Sequence, residues 1–390
     1  AAQRVEGTGM SEAFLHVALR TPRGKARPDG GLAGETPHGL VAHLVDAMEA
    51  RGHDPRGRAE RMTLGCVGQV GAQGGHIALV AKLKAELPDG VAVHTLNNFC
   101  ASGLSAVGAA AAAVASGQAQ WALGGGVEML SKVAFMADKA DYYTATDMPP
   151  DRRYIQVALA ADLLAEKEGI ARDALDQVAL MSQARAAAAE DKPGLIASRI
   201  AVAGLDREEA VRPMTLERLQ SLPPAFPPLA EAYRGILGDR QIDHRHSVAH
   251  APPMTDGAAL ALIGPREGAV ARIIAHVEIG GDPWDSLTAG FAAMDKALAR
   301  AGMTLADMDR IEFMEAFAVT HAKFLRDRTP DPDKVNVSGG HVAKGHPMGA
   351  TGGILLSTLI DALADSGGTL GLVVATGAQG VGVATIVERI

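Results

Sequence analysis

The sequence predicts an α/β fold of two related halves with a lobe inserted between them. Three observations carry that expectation. Short β-like runs alternate with Ala-rich helical stretches in the first third, the same rhythm returns in the last third, and the middle does not share it. In the first third, residues 14–19, 62–67 and 91–96 read as strands, and 36–51 and 75–86 as helices. Residues 104–116 are almost entirely Ala, Val and Leu with no charge, and a helix apolar on every side is a buried one. A strand at 120–124 follows, running into Gly124-Gly125-Gly126. That rhythm implies a right-handed βαβ unit in a sheet covered on both faces.

From 131 to 247, aromatic residues, prolines and charge pairs take over, as in Tyr142-Tyr143 and Leu222-Pro223-Pro224. This segment reads as the inserted lobe, with a helix at 173–189. In the last third, 270–279 and 311–313 read as strands and 283–301 as a helix. A strand at 335–337 leads through a Gly-rich loop into a helix at 349–364, and 371–375 and 383–387 form a closing pair of strands. The expected division is a first half at 11–130, the lobe at 131–247 and a second half at 248–390. Residues 1–10 read as a loose tail or an appended remnant, with Met10 as a natural start.

Composition limits the function classes. The 390 residues are 47% hydrophobic and 21% charged, with a mean hydropathy of +0.08, enough for a large core in two or three units or one compact body. A net charge of −8 offers no basic face to nucleic acid, so any polyanionic ligand must be met by local groups. Two cysteines, Cys66 and Cys100, exclude a disulfide scaffold and a four-cysteine zinc site and suit a reducing cytoplasm. No apolar run reaches membrane-spanning length, and no signal-peptide core precedes the fold. Gly377, Gly380 and Gly382 lack the following helix and acidic residue that a dinucleotide site requires.

Cys100 falls between a predicted strand and the buried helix, in Asn97-Asn98-Phe99-Cys100-Ala101-Ser102-Gly103. The free amides and dipole of a helix N-terminus favour a thiolate and lower its pKa. Buried structural cysteine is the commoner fate of a lone thiol. Cys66, inside an apolar run, is read that way; for Cys100 the two readings stand even on chemistry alone. His346 lies in Gly345-His346-Pro347, where the proline forces an extended backbone before it. Alone it is a loop histidine. Paired with Cys100 it fits the general base of an activated nucleophile.

Several motifs then occur in order: Arg20-Thr21-Pro22-Arg23-Gly24-Lys25, residues 97–103, 125–131 (GGVEMLS), Glu315-Ala316-Phe317-Ala318, 340–352, and 380–390 (GVGVATIVERI). They resemble the RTPxGK, nucleophile, GGxESMS, NEAFA and GGxxAxGHPxGAxG motifs and the C-terminal strand of the thiolase family. The resemblance spans nearly the whole chain and is to acetyl-CoA acyltransferases of the β-oxidation and biosynthetic type. It implies a five-layer αβαβα fold with a lobe that binds coenzyme A. It further implies an acyl-CoA substrate, no resident cofactor or metal, and a homodimer or homotetramer. Cys100 would take up the acyl group and His346 would activate it. Arg212 and Arg218 are candidates for the coenzyme A phosphates, since bidentate guanidinium suits them; a solvated charged face is the competing reading. Gly380 and His250 are further candidates for the substrate side.

The pattern breaks at two positions. Met314 stands where the family carries Asn or His before Glu-Ala-Phe, and a thioether donates no hydrogen bond. Loss of one oxyanion donor elsewhere costs about 10²–10³ in rate. Thr376 stands where the resemblance implies a second cysteine that moves the α-carbon proton, and a hydroxyl gives up its proton far less readily. Residues 248–253 (VAHAPP) also depart from the family's small polar loop, and Lys344 is unusual before His346. His244, His246 and His250 lack the cysteines or carboxylates of a metal site. The leading reading is therefore an acyltransferase working through an acyl-cysteine, by thiolysis of 3-oxoacyl-CoA or Claisen condensation. The alternatives are an acyl-cysteine enzyme with water or another non-CoA acceptor, and a catalytically silent subunit.

Overall fold

The computed structural model describes residues 12–390; the tail expected at 1–10 lies outside the described residues. In the first half, β1 (Phe14–Arg20), α1 (Pro37–Ala50), β2 (Arg61–Gly65), α2 (Ile77–Lys84), β3 (Ala92–Leu96), α3 (Ser102–Ala115) and β4 (Ala122–Met129) follow one another. Next come α4 (Val157–Lys167), α5 (Arg172–Ala189) and three short helices, Leu216–Gln220, Pro227–Ala232 and Arg234–Leu237. The remainder holds β5 (Thr255–Gly264), β6 (Ala271–Gly280), α6 (Ala289–Ala301), β7 (Arg310–Phe313), α7 (Ala318–Arg328), α8 (Thr351–Ser366), β8 (Leu370–Gly377) and β9 (Val381–Arg389). No helix among the described residues is long and apolar enough to cross a membrane.

The strands lie in the order β3-β2-β4-β5-β1-β6-β9-β8-β7, and a two-residue strand, Gly24–Lys25, pairs with β5 to complete a ten-stranded sheet. Strands β3, β2 and β4 run parallel, as do β7 and β8; the rest are antiparallel. The two halves of the sheet meet where β1 pairs β6 through only Phe14↔Arg272 and Leu15↔Ala271.

Three apolar clusters separate five layers. Leu40, Leu44 and Ile77 of α1 and α2 pack on Met62, Leu64 and Leu260. Leu104, Val107, Leu355 and Leu359 of α3 and α8 join Leu15, Ile263 and Val383 in the centre. Phe291, Met294 and Phe324 of α6 and α7 cover Ile311, Val374 and Ile386. The order helix, sheet, helix, sheet, helix is the expected αβαβα fold. The central pair can touch because glycine faces it: a Cβ on Gly352 would strike Leu104, and one on Gly103 would strike the Gly349 backbone. Ala161, Leu164, Leu175 and Val178 of α4 and α5 also enter the central cluster.

Local chemistry explains the boundaries. Thr36 caps α1 by accepting the Gly39 N–H at 3.1 Å, with Pro37 at the first helical position. The strand expected at 335–337 does not form beyond one bridge, Ile311↔Val335. Asn336 has φ +45° and its side chain takes over, accepting from Phe313 N and donating to Phe313 O, each at 2.8 Å. The helix expected from 283 begins only at Ala289. Strand β5 is buried throughout, and its Ala/Leu run carries neither alternation nor β-branched enrichment to mark it in the sequence.

The buried RTPxGK-like segment fastens these layers. Arg20 reaches Glu208 at 2.6 Å, while Arg23 holds the same carboxylate through Nε and Nη2 at 3.0 and 3.1 Å. Burial opposes the charge on Glu208, but Arg23 and Arg20 outweigh it and hold its carboxyl far below the usual range. Arg23 also donates to the Gly345 carbonyl at 3.3 Å, next to His346. Glu208→Ala leaves two buried guanidinium groups uncompensated and is expected to cost about 3–5 kcal/mol, read as a lower urea midpoint. An unchanged midpoint would show that the pair carries no structure.

Candidate active site

The turn after β3 is tight and held locally. Phe99 has φ +47°; its N–H is taken by Asn97 Oδ1 at 2.9 Å and its carbonyl by the Ser102 hydroxyl at 2.5 Å. Asn98 N–H donates to Ser102 Oγ at 2.8 Å. These bonds set half-buried Cys100 two residues ahead of α3, at the carboxyl end of β3. The backbone N–H groups of Ala378, from the loop after β8, and of Cys100 itself act on the sulfur in favour of its thiolate.

His346 comes from the other half. Its N–H donates to Pro253 O at 2.9 Å and its Nδ1 bonds the Thr351 hydroxyl at 2.7 Å, which fixes the ring and leaves Nε2 without a partner among the described residues. His341 stands edge-on to it at 5.6 Å between centroids, buried, with neither ring nitrogen bonded.

Both residues line one cavity of about 170 Å³. Its walls come from loops at the carboxyl ends of strands: Val67 and Gly68 after β2, Phe99 and Cys100 after β3, Leu130 after β4, Phe317 after β7 and Ala378 after β8. That is where a parallel-sheet fold places ligands. Glu128, fully buried at the end of β4, ties the loop after β2 to the turn before α8. It accepts Val67 N at 2.9 Å, Gly68 N at 3.0 Å, Gly349 N at 3.0 Å and Gln73 Nε2 at 2.5 Å.

The electrostatics of the pair run against one expectation. Helix-end stabilisation predicts a lowered Cys100 pKa. Instead burial of the thiol, then the Glu128 carboxylate, push it up to about 12, against the opposing pull of the Ala378 N–H. Burial, then Arg23, bring His346 down to about 3. At neutral pH the site therefore holds a thiol and a neutral imidazole.

The remaining candidates fall in different places. Met314 and Thr376 are buried against each other off the cavity wall: the Thr376 N–H donates to Met314 Sδ at 3.4 Å, and its hydroxyl to Val381 O at 3.2 Å. His250 is buried elsewhere, its Nδ1 accepting Ser247 N at 3.0 Å and its Nε2 bonded to Asp176 at 2.7 Å; burial lowers it to about 4 despite that bond. Gly380 does not line the cavity and donates its N–H to Ser286 O at 3.3 Å. Ala378, not singled out by the sequence, is the residue of that loop that faces Cys100. Arg212 and Arg218 are exposed outside the cavity wall, and neither makes an ion pair among the described residues. Lys344 is buried and donates to Ser338 Oγ at 3.1 Å, so it is not presented to a ligand. His244 and His246 both bond Asp162 at 2.7 Å, and the described residues contain no group of three or more that could hold a metal ion.

This fold and this cysteine–histidine cavity define a class, and the sequence comparisons agree. The chain belongs to the thiolase family: the thiolase N-terminal domain matches residues 15–231 and the thiolase C-terminal domain residues 268–389. It is similar to a 3-ketoacyl-CoA thiolase of Erwinia tasmaniensis, 32% identical over 403 residues covering 98% of this chain and 100% of that protein. A β-ketoadipyl-CoA thiolase of Pseudomonas putida is 31% identical over 416 residues, with coverage of 98% and 100%. The crystal structure of the Bacillus anthracis acetyl-CoA acetyltransferase superimposes with a TM-score of 0.84 at 26% identity, covering 98% of this chain and 100% of that one.

With the thiol pushed up to about 12, its thiolate fraction rises about tenfold per pH unit below that value. Alkylation of Cys100 by iodoacetamide is expected to run roughly a hundredfold faster at pH 9 than at pH 7. A plateau already reached at pH 7 would mean a resting thiolate and would contradict the assignment.

Proposed function

We propose that the chain is an acyl-CoA C-acyltransferase that carries its acyl group on Cys100. The observation that carries the reading is the meeting of Cys100, His346 and the Ala378 N–H on one apolar cavity. The thioester carbonyl is attacked by the Cys100 sulfur while His346 Nε2 takes the thiol proton. A neutral imidazole is the form that can do so. Negative charge then grows on the carbonyl oxygen beside the sulfur, and the N–H groups of Ala378 and Cys100, which favour the thiolate, are the donors assigned to it. As the tetrahedral adduct collapses, the coenzyme A sulfur leaves and receives the proton from His346. Coenzyme A is thus a substrate, with no resident cofactor, and Arg212 and Arg218, exposed and without an ion pair among the described residues, are assigned to its phosphates. The reading includes a cytoplasmic homodimer or homotetramer, supported by the family resemblance and by the two free cysteines.

The carbon–carbon step, bond cleavage in thiolysis or bond formation in Claisen condensation, lacks its usual helpers. What supports a slow carbon–carbon step is the Met314–Thr376 contact, since the Thr376 hydroxyl is spent on Val381 O. On this reading acyl transfer outpaces carbon–carbon chemistry, and water or another nucleophile competes for the acyl-cysteine.

Exchange of labelled coenzyme A into acetyl-CoA needs only the first half-reaction. Cys100→Ala is expected to lower it roughly 10³-fold or more, and His346→Asn about 10²–10⁴-fold. Exchange unaffected by Cys100→Ala would sink the proposal. The double variant Thr376→Cys, Met314→Asn is expected to raise acetoacetyl-CoA thiolysis about 10²-fold while the native chain exchanges without it. A native chain with no exchange, activated only by the double variant, would instead mark a silent subunit.

A further inference from the structure

Resting on that acyl-transfer reading, we infer that the acyl group this cavity takes is uncharged and ring-bearing. The chain has eight Phe, two Trp and four Tyr, only 4% of its residues. Yet six of those fourteen, Phe99, Phe135, Tyr143, Tyr154, Phe226 and Phe317, line the one cavity that holds Cys100 and His346. Chance would scatter them.

These rings form fixed walls. Tyr143 and Tyr154 lie 4.8 Å apart between centroids and tilted, and Phe226 meets Phe317 edge-on at 6.2 Å. Tyr142 and Tyr233 back Tyr154 at 5.7 and 6.3 Å, so all four tyrosines of the chain gather here. Behind Phe317 stands His246, edge-on at 5.8 Å and itself clamped by Asp162 at 2.7 Å. Rings packed on one another in this way are held in place, and a flat ring satisfies such walls through offset and edge-to-face contacts. A straight alkyl chain gains none of that directional attraction and loses rotamer freedom on being straightened.

Size and charge narrow the class. The cavity holds about 170 Å³, and a dry apolar cavity of about 150 Å³ is known to admit benzene. Its walls include no lysine or arginine, and the one carboxylate on them, Asp138, accepts the Tyr143 hydroxyl at 2.8 Å. A carboxylated acyl tail would meet that charge with no cation to offset it. Tyr154, buried, has only Met136 Sδ at 3.8 Å for its hydroxyl among the described residues, so a neutral polar substituent on the ring would find a donor.

The test compares acylation of Cys100 by phenylacetyl-CoA and octanoyl-CoA, which carry eight carbons each, with adipoyl-CoA as the charged tail and acetyl-CoA as the reference. Free coenzyme A thiol is measured over a single turnover. Phenylacetyl-CoA is expected to react at least tenfold faster than octanoyl-CoA and at least a hundredfold faster than adipoyl-CoA. Tyr154→Leu and Phe226→Leu are each expected to lower the phenylacetyl-to-octanoyl ratio severalfold. Equal rates, or a faster octanoyl group, would overturn the inference and leave acyl transfer standing. Reaction with acetyl-CoA but with neither eight-carbon thioester would do the same. No reaction with any of the four would bring down the acyl-transfer reading and this inference with it.

Discussion

Everything at this site depends on one carboxylate. Glu128 stands at the end of a strand through three glycines, Gly124 to Gly126, whose missing side chains let neighbouring backbone press close. Its oxygens gather N–H donors from the loop of Val67 and Gly68 in one half and from Gly349 in the other. Burial pushes its carboxyl up, and those same N–H groups pull it back. An oxygen pair with four N–H donors and the Cys66 thiol at 3.8 Å is what a buried carboxylate needs to stay in place. Joining the loop after β2 to the turn before α8 brings the histidine of one half onto the cysteine of the other. The Arg23–Glu208 contact does the companion task from below, through the Gly345 carbonyl.

The same carboxylate shapes the chemistry. It adds to burial of the thiol, the larger effect, in raising the Cys100 pKa at a position where a helix end alone would lower it. The resting site is consequently uncharged, thiol beside imidazole, and lies among aromatic and aliphatic walls. Proton transfer can then be coupled to attack on a thioester, with no standing thiolate exposed to oxidants. The altered pair Met314 and Thr376 fits this economy differently. They satisfy one another through the Thr376 N–H and the Met314 sulfur, so the layer beneath the site packs well while offering no proton carrier to the cavity.

Much of this was legible in the sequence where the pattern itself carried the physics. The charge-free run at 104–116 was read as a buried helix and is the central α3, and the helix read at 36–51 is α1. Cys100 and His346 were legible as a strand-to-helix cysteine and a proline-aimed histidine. What stayed hidden depended on long-range contacts. Strand β5 is an alanine–leucine run with no period to read, and Asn336 breaks a strand by folding its amide back onto Phe313. Ala378 acts through a backbone N–H that no side chain advertises. The direction of the cysteine shift came from burial of the thiol and then from Glu128, 28 positions away in sequence and unremarkable as one letter of GGVEMLS. His250 looked available as a loop histidine and proved to be sealed between Ser247 and Asp176.

The central claim is that Cys100 becomes covalently acylated within this cavity. Intact-protein mass after mixing with acetyl-CoA, followed by mapping of the modified peptide, tests it most directly. The account predicts a single acetyl adduct on the peptide containing Cys100, removed by free coenzyme A and missing from Cys100→Ala. An adduct on another residue, or none on Cys100 while coenzyme A is still released, would contradict it.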